Sequence, residues 1–310
     1  MTASASPRRP RPRLDVVGNP NSAGSYAAGQ DLAPAALRVH GLLDALANAG
    51  REVTDLGDLE HLAWRPDPRS ARAHNLDAVV QNLVTLRDRL LPSLRAGHDV
   101  LVLGGNCTVA LSAVAALRAV IAGPASLLYL DRHFDVNTPE STTDGSLDWM
   151  GVAHGLNLPG SLGELAGAFG QVPLLRPADV VFLGVQRDAA TEWERQQADR
   201  LPLHYVGSDA LAADPGSAAA EALGHLPEAA PYVLHLDVDS LDFTDMPLAE
   251  STDGRNSGPS LERLAATLTA TARDPRRKVM SVGELNPTRC AGAPEVIPRF
   301  CRALADALAA

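Results

Sequence analysis

The feature that most restricts the fold is an alternation. Short, nearly continuous apolar runs are each followed by a stretch of helical periodicity, about seven times over. The runs are Leu14–Gly18, Glu52–Leu56, Asp99–Leu103, Ser126–Leu130, Asp179–Gly184, Tyr232–Leu236 and Lys278–Gly283. Helical patterns occupy 34–48, 74–96, 108–121, 148–157, 189–198, 215–224 and 260–273, with a last one at 294–309. A run such as Val100-Leu101-Val102-Leu103 lacks the polar alternation of a half-buried strand, so both of its faces must be covered. Repeated strand–helix units of this kind predict a three-layer α/β fold with a doubly wound, mostly parallel sheet. No linker, composition shift or internal repeat divides residues 14–310, which are expected to form one domain. Residues 1–13, MTASASPRRPRPR, are small, basic and proline-rich, and are expected to be a disordered tail.

Charge and cysteine content exclude several function classes. A net charge of −10 gives a nucleic-acid role no electrostatic support. No apolar stretch approaches a membrane span, and no signal-peptide core is present. Three cysteines, Cys107, Cys290 and Cys301, are too few for a disulfide framework in a chain this long and fit a reducing cytoplasm. The expectation is a cytoplasmic enzyme acting on a small molecule.

In doubly wound sheets, ligands bind beyond the carboxyl ends of the strands. Four polar clusters stand there. Asp131-Arg132-His133-Phe134-Asp135 follows the run Ser126–Leu130. In extended chain, alternate residues point to one side, so Asp131, His133 and Asp135 are expected to converge. Asp237-Val238-Asp239 follows Tyr232–Leu236 with the same spacing. Either cluster alone fits solvated loop charges or helix caps. Together, four aspartates and a histidine in one crevice would repel one another without cations, and their donors suit Mn²⁺ or a similar divalent ion. The third cluster, Gly104-Gly105-Asn106-Cys107-Thr108, reads by itself as a strand–turn–helix junction or a phosphate loop. The fourth, Glu284-Leu285-Asn286-Pro287, offers a carboxylate for a cationic substrate group or an ordinary turn acid.

Taken in order, GGNCT, DRHFD, DVDSLD and ELNP resemble the motif series of the ureohydrolases (arginases, agmatinases, guanidinobutyrases and formimidoylglutamases). The resemblance runs from Val16 to the C-terminus and includes Gly18–Asn21, Gly57-Asp58-Leu59 and Val136-Asn137-Thr138-Pro139. It implies an arginase-like fold and a metal-dependent amidinohydrolase, with two Mn²⁺ ions or one; Zn²⁺, Co²⁺, Ni²⁺ and Fe²⁺ stay open. Asp131 and Asp237 would bridge the ions, Asp135 would hold one, and His133 and Asp239 the other. Hydroxide activated by the ions would attack the guanidino carbon. Glu284 would pair with a cationic small-molecule substrate, with Asn137 and Asp144 facing its tail. A homo-oligomer, trimer or hexamer, is implied in the same way.

Two positions depart from the pattern. Cys107 stands where the family's first metal histidine belongs; as a ligand it favours Zn²⁺ or Fe²⁺ over Mn²⁺, and otherwise it is a buried thiol. Cysteine there resembles relatives that process hydroxyguanidino compounds. Asp148 stands where the family has its general-acid histidine. An exposed aspartate, with a pKa about 4, is a poor proton donor at neutrality. His154, six residues on, lies about 240° around a helix and is expected to face elsewhere, at the surface or in the core. Asp144 replaces a serine that holds the substrate carboxylate in arginases, and Glu250 adds acidity nearby, so plain L-arginine is disfavoured. His235 shares a strand face with Asp237 one pleat deeper, as a supporting or core histidine rather than a ligand. Trp149 and Met150 could line a pocket or pack in the core. Two rivals remain: hydrolysis of a formimino or amide substrate, and a non-catalytic binding protein.

Overall fold

The computed structural model describes residues 11–249 and 257–309. Its elements are, in order, β1 (Leu14–Gly18), α1 (Ala33–Val39), α2 (Leu42–Asn48), β2 (Val53–Asp58), α3 (Leu76–Arg95), β3 (Asp99–Leu103), α4 (Val109–Arg118) and β4 (Ser126–Leu130). Then come α5 (Gly151–Leu156), α6 (Gly163–Ala166), β5 (Val180–Val185), α7 (Glu192–Arg200), β6 (His204–Gly207), α8 (Ser208–Ala213) and α9 (Pro215–His225). The last are β7 (Tyr232–Asp237), α10 (Leu261–Ala272), β8 (Arg277–Gly283) and α11 (Val296–Ala307).

The named strands form one parallel sheet in the order β2-β1-β3-β8-β7-β4-β5-β6. Successive side chains of a strand point to opposite faces, and here both faces are apolar. Leu101, Leu103, Leu128, Leu130, Leu234 and Leu236 pack with residues of α1, α2 and α8–α11. Val100, Val102, Leu127, Tyr129, Val233 and Val279 pack with residues of α3–α7. The near-continuous hydrophobic runs are thus explained by helices on both sides.

Differences from the sequence expectation fall where local signal is weak. The predicted helix 34–48 is two helices, broken at Gly41 with φ 85°. Strand β6 was not predicted: it has four residues, and His204 and Tyr205 are exposed at the sheet edge. No helix among the described residues is long and apolar enough to cross a membrane. Of the segment predicted as a tail, Arg11 donates to the Ala272 carbonyl at 3.0 Å, and Arg13 bonds Thr54 Oγ1 at 2.5 Å.

The topology positions the site. The chain lays β2 outside β1 and β3 on the inner side of β1, builds outward through β4–β6 on the other side, then returns to insert β7 and β8 between the two halves. All four polar clusters therefore leave the adjacent central strands β3, β8, β7 and β4 at the same edge, where the strand order reverses.

Candidate metal centre

The β3 cluster reaches the crevice through a double glycine turn. Gly104 and Gly105 have φ 76° and 78°. A Cβ on Gly104 would lie 2.7 Å from the Pro34 ring, so only glycine fits this turn. The turn brings Cys107 back over the sheet, where it is 2% exposed. Its backbone N–H donates to Glu284 Oε1 at 3.1 Å, and its Sγ lies 3.1 Å from Asp237 Oδ2.

The aspartate clusters resolve into two groups. Donor atoms of Cys107, Asp131 and Asp135 lie within 4.8 Å of one another, as do those of Asp131, His133 and Asp239. Asp131 belongs to both. Its Oδ1 accepts the His133 N–H at 2.6 Å, and His133 Nδ1 lies 3.0 Å from Asp239 Oδ2. Asp237 joins them from the end of β7, its Oδ1 accepting the Asp239 N–H at 2.7 Å. Contrary to the expectation from extended chain, Asp131, His133 and Asp135 do not lie along one strand face. The strand ends at Leu130, and Asp135 has φ 51°, in the left-handed region disfavoured for non-glycine residues. That turn carries Asp135 to the Cys107 side, away from His133, where the Tyr129 hydroxyl donates to its Oδ2. Glu284 also has positive φ, 61°.

The residues present fit divalent ions. Asp131 Oδ2 and Asp239 Oδ1 are buried oxygens without a hydrogen-bond partner among the described residues, a costly state that a cation would relieve. Burial, then Asp239, raises the Asp131 pKa to about 6. Burial and neighbouring acids hold Asp135 and Asp237 well above the carboxylate range. Burial opposes a charged His133, but Asp239 and Asp131 outweigh it and hold its pKa well above the usual value. Groups whose pKa is higher in the folded state stabilise the fold fully below the unfolded pKa and lose that contribution as pH rises through the folded value. The metal-free protein is therefore expected to melt at falling temperature as pH rises through about 6, and bound divalent ions to flatten that slope. Calorimetry at several pH values, with chelator and with added ions, checks this; a slope indifferent to ions would place them elsewhere.

Glu284 is fixed from two sides, by the Cys107 N–H and by Gln30 Nε2 at 3.0 Å. Burial first, and then Asp148, holds its pKa well above the usual carboxylate value. Asp148 bears on Glu284 through its charge. It is half-buried, not exposed, and accepts from the backbone N–H of Tyr26 at 3.2 Å and of Trp149 at 3.0 Å. Burial raises its pKa against the Trp149 N–H, Asp144 adds to the rise, and the result is about 7. Asn137 is buried, its Oδ1 accepting from Ser141 at 3.0 Å and Thr191 at 3.1 Å, while its Nδ2 has no partner among the described residues. Asp144 Oδ1 accepts the Ser146 N–H at 3.0 Å and so also serves a local turn. Glu250 lies outside the described residues.

His154 is in the core, with Nδ1 2.7 Å from the Met150 carbonyl oxygen. The helix assumed for its 240° offset is not continuous: Asp148–Met150 form a 3-10 turn with Trp149 non-helical, before α5 begins. Met150 is fully buried, and Trp149 packs against the core. His235 is fully buried with Nε2 3.2 Å from Cys107 Sγ, and burial pushes its pKa down to about 3. Gln30, Tyr129 and Ser281 were not singled out from sequence. Gln30 is far from Glu284 in the chain, and no local pattern joins them.

An arginase-family model matches residues 13–298. The chain belongs to the arginase family. The arginase of Bacillus caldovelox is 28% identical to it over 247 residues, 76% of this chain and 78% of that one. In its native structure at pH 5.6, that enzyme superposes with a TM-score of 0.86 at 22% identity, covering 96% of this chain and 99% of the other. The Trypanosoma cruzi formiminoglutamase structure with Mn²⁺ gives a TM-score of 0.71 at 18% identity, covering 96% and 93%. The two structural likenesses establish a shared α/β fold. In this arginase-family chain the parallel sheet and its reversal point carry the donor groups described above.

Proposed function

We propose that the chain is a metal-dependent amidinohydrolase that cleaves a C–N bond of a guanidino or hydroxyguanidino compound, releasing urea or a urea-like product and an amine. One observation carries this reading: a carboxylate outside both metal groups, Glu284, is clamped beside them. A guanidinium is planar and pairs well with a carboxylate. Its arrival would keep Glu284 ionised against the burial that otherwise favours the neutral form.

Asp131, His133, Asp135, Asp237, Asp239 and Cys107 would hold the ions. When bound, these supply Lewis acidity and bring the pKa of water to about 7. The carboxylates suit Mn²⁺, and the sulfur suits Zn²⁺, Fe²⁺ or Co²⁺. Glu284 orients the amidine carbon toward the ions. Water oxygen adds to that carbon, the C–N bond breaks, and the leaving nitrogen needs a proton. Asp148, with its pKa near 7, would hold that proton and deliver it. The Asn137 Nδ2 donor and Asp144 would face the substrate tail, favouring an amine over a carboxylate.

L-Arginine is therefore expected to be a poorer substrate than amine-tailed guanidines. A panel of guanidino and hydroxyguanidino compounds, assayed for urea with Mn²⁺, Co²⁺, Ni²⁺ and Zn²⁺, tests both points. A clear preference for arginine would mean that Asp144 does not face the tail. Formamide in place of urea would move the substrate to the formimino class. No hydrolysis of any compound with any ion would leave a binding protein.

A further inference from the structure

Cys107 ends a hydrogen-bonded chain that crosses two adjacent strands. His235 of β7 and Ser281 of β8 are register partners in the sheet. Ser281 Oγ lies 2.8 Å from His235 Nδ1. The other ring nitrogen, Nε2, lies 3.2 Å from Cys107 Sγ, and that sulfur lies 3.1 Å from Asp237 Oδ2. All four side chains are buried. The imidazole is held flat against Tyr129, with ring centroids 4.7 Å apart and planes 22° apart. Room for the pair comes from Gly283: a Cβ there would lie 3.0 Å from His235 Cε1 and 3.4 Å from Cys107 Sγ.

With the thiol donating to Asp237 Oδ2, the sulfur can accept from Nε2, and a neutral imidazole with its single N–H there accepts at Nδ1 from the Ser281 hydroxyl. The thiol hydrogen then lies between Sγ and Asp237 Oδ2. A cation entering the first group would take the place of that hydrogen, and the Nε2–H would remain on the thiolate. A hydrogen bond that fixes a metal ligand commonly matters 10–100-fold in metal affinity. A thiolate so held selects soft or borderline cations, whereas a ligand set of carboxylates alone would favour Mn²⁺.

Resting on the hydrolase reading above, we propose that Ser281 and His235 position Cys107 as a thiolate ligand, so that the first metal position takes Zn²⁺, Fe²⁺ or Co²⁺ in preference to Mn²⁺. His235 is a positioning residue in this arrangement and touches no substrate.

The metal-free full chain titrated with Co²⁺ tests this. The native protein should develop a near-ultraviolet sulfur-to-cobalt charge-transfer band, and Cys107→Ser should bind Co²⁺ without it. His235→Phe keeps a ring against Tyr129 but cannot donate to sulfur. Its band should move to lower energy, and its Zn²⁺ affinity should fall about 10–100-fold with Mn²⁺ affinity unchanged. Ser281→Ala should shift the band in the same direction by less, with the His235 ring retained. Co²⁺ binding by the native protein without the band, or a band unmoved in both His235→Phe and Ser281→Ala, overturns the proposal and leaves the hydrolase reading intact. A native chain that binds none of Co²⁺, Zn²⁺ and Mn²⁺ overturns both.

Discussion

Asp131→Asn is expected to lower bound metal sharply and to reduce C–N hydrolysis by more than about 100-fold, the upper end of what even indirect partners of a metal cost. Asp131 is the one residue in both donor groups, and it is fully buried. Its Oδ1 is committed to the His133 N–H, and its Oδ2 has no partner among the described residues. Asparagine keeps the volume and can keep the His133 bond, but it presents an NH₂ donor where a ligand oxygen is needed. Asp237→Asn should behave alike, because Asp237 lies between Cys107 and Asp239. Removing one acid from a self-repelling cluster should not destabilise the metal-free fold, so melting curves separate a metal defect from misfolding. Elemental analysis decides: unchanged metal content in both variants would sink the assignment.

Asp148→Asn is expected to cost about 10²–10⁴-fold in kcat, the usual worth of a positioned acid, with the metal content unchanged. A proton donor must be protonated to act. With a pKa of about 7 for Asp148, kcat/KM in the native protein should fall as pH rises through that value. The asparagine variant should lack that limb of the profile. Asp148→His should recover activity and keep a limb near neutrality, since histidine titrates in the same range. A native profile flat between pH about 6 and about 8, or an asparagine variant that keeps the limb, would assign the proton transfer to another group. His154 is poorly suited to replace it, being enclosed in the core with Nδ1 on the Met150 carbonyl.

Much of the architecture was legible because its signals are local. Apolar runs covered on both sides and helical periodicity located seven of the eight strands among the described residues, and the polar clusters beyond them gave the end of the sheet that matters. The strand β6 was missed because an exposed edge needs little apolar sequence. The grouping of Asp131, His133 and Asp135 was foreseen for a reason that does not hold. Alternation along a strand would put all three on one side, but the left-handed turn at Asp135 divides them between two groups.

The sequence by itself determined the parallel α/β plan and the family, and marked the acids, imidazole and thiol that follow the central strands, since each of these is written in short stretches of consecutive residues. Only the tertiary structure decided how those groups are held and charged. Glu284 is clamped by Gln30 and Cys107 from distant parts of the chain. His235 meets Cys107 because β7 and β8 lie side by side and Gly283 leaves space between them. Asp148 is an ordinary carboxylate in the sequence; burial and Asp144 move it to about 7. Contacts between distant residues and the loss of solvent around a charge arise when the sheet closes, and no local pattern records them.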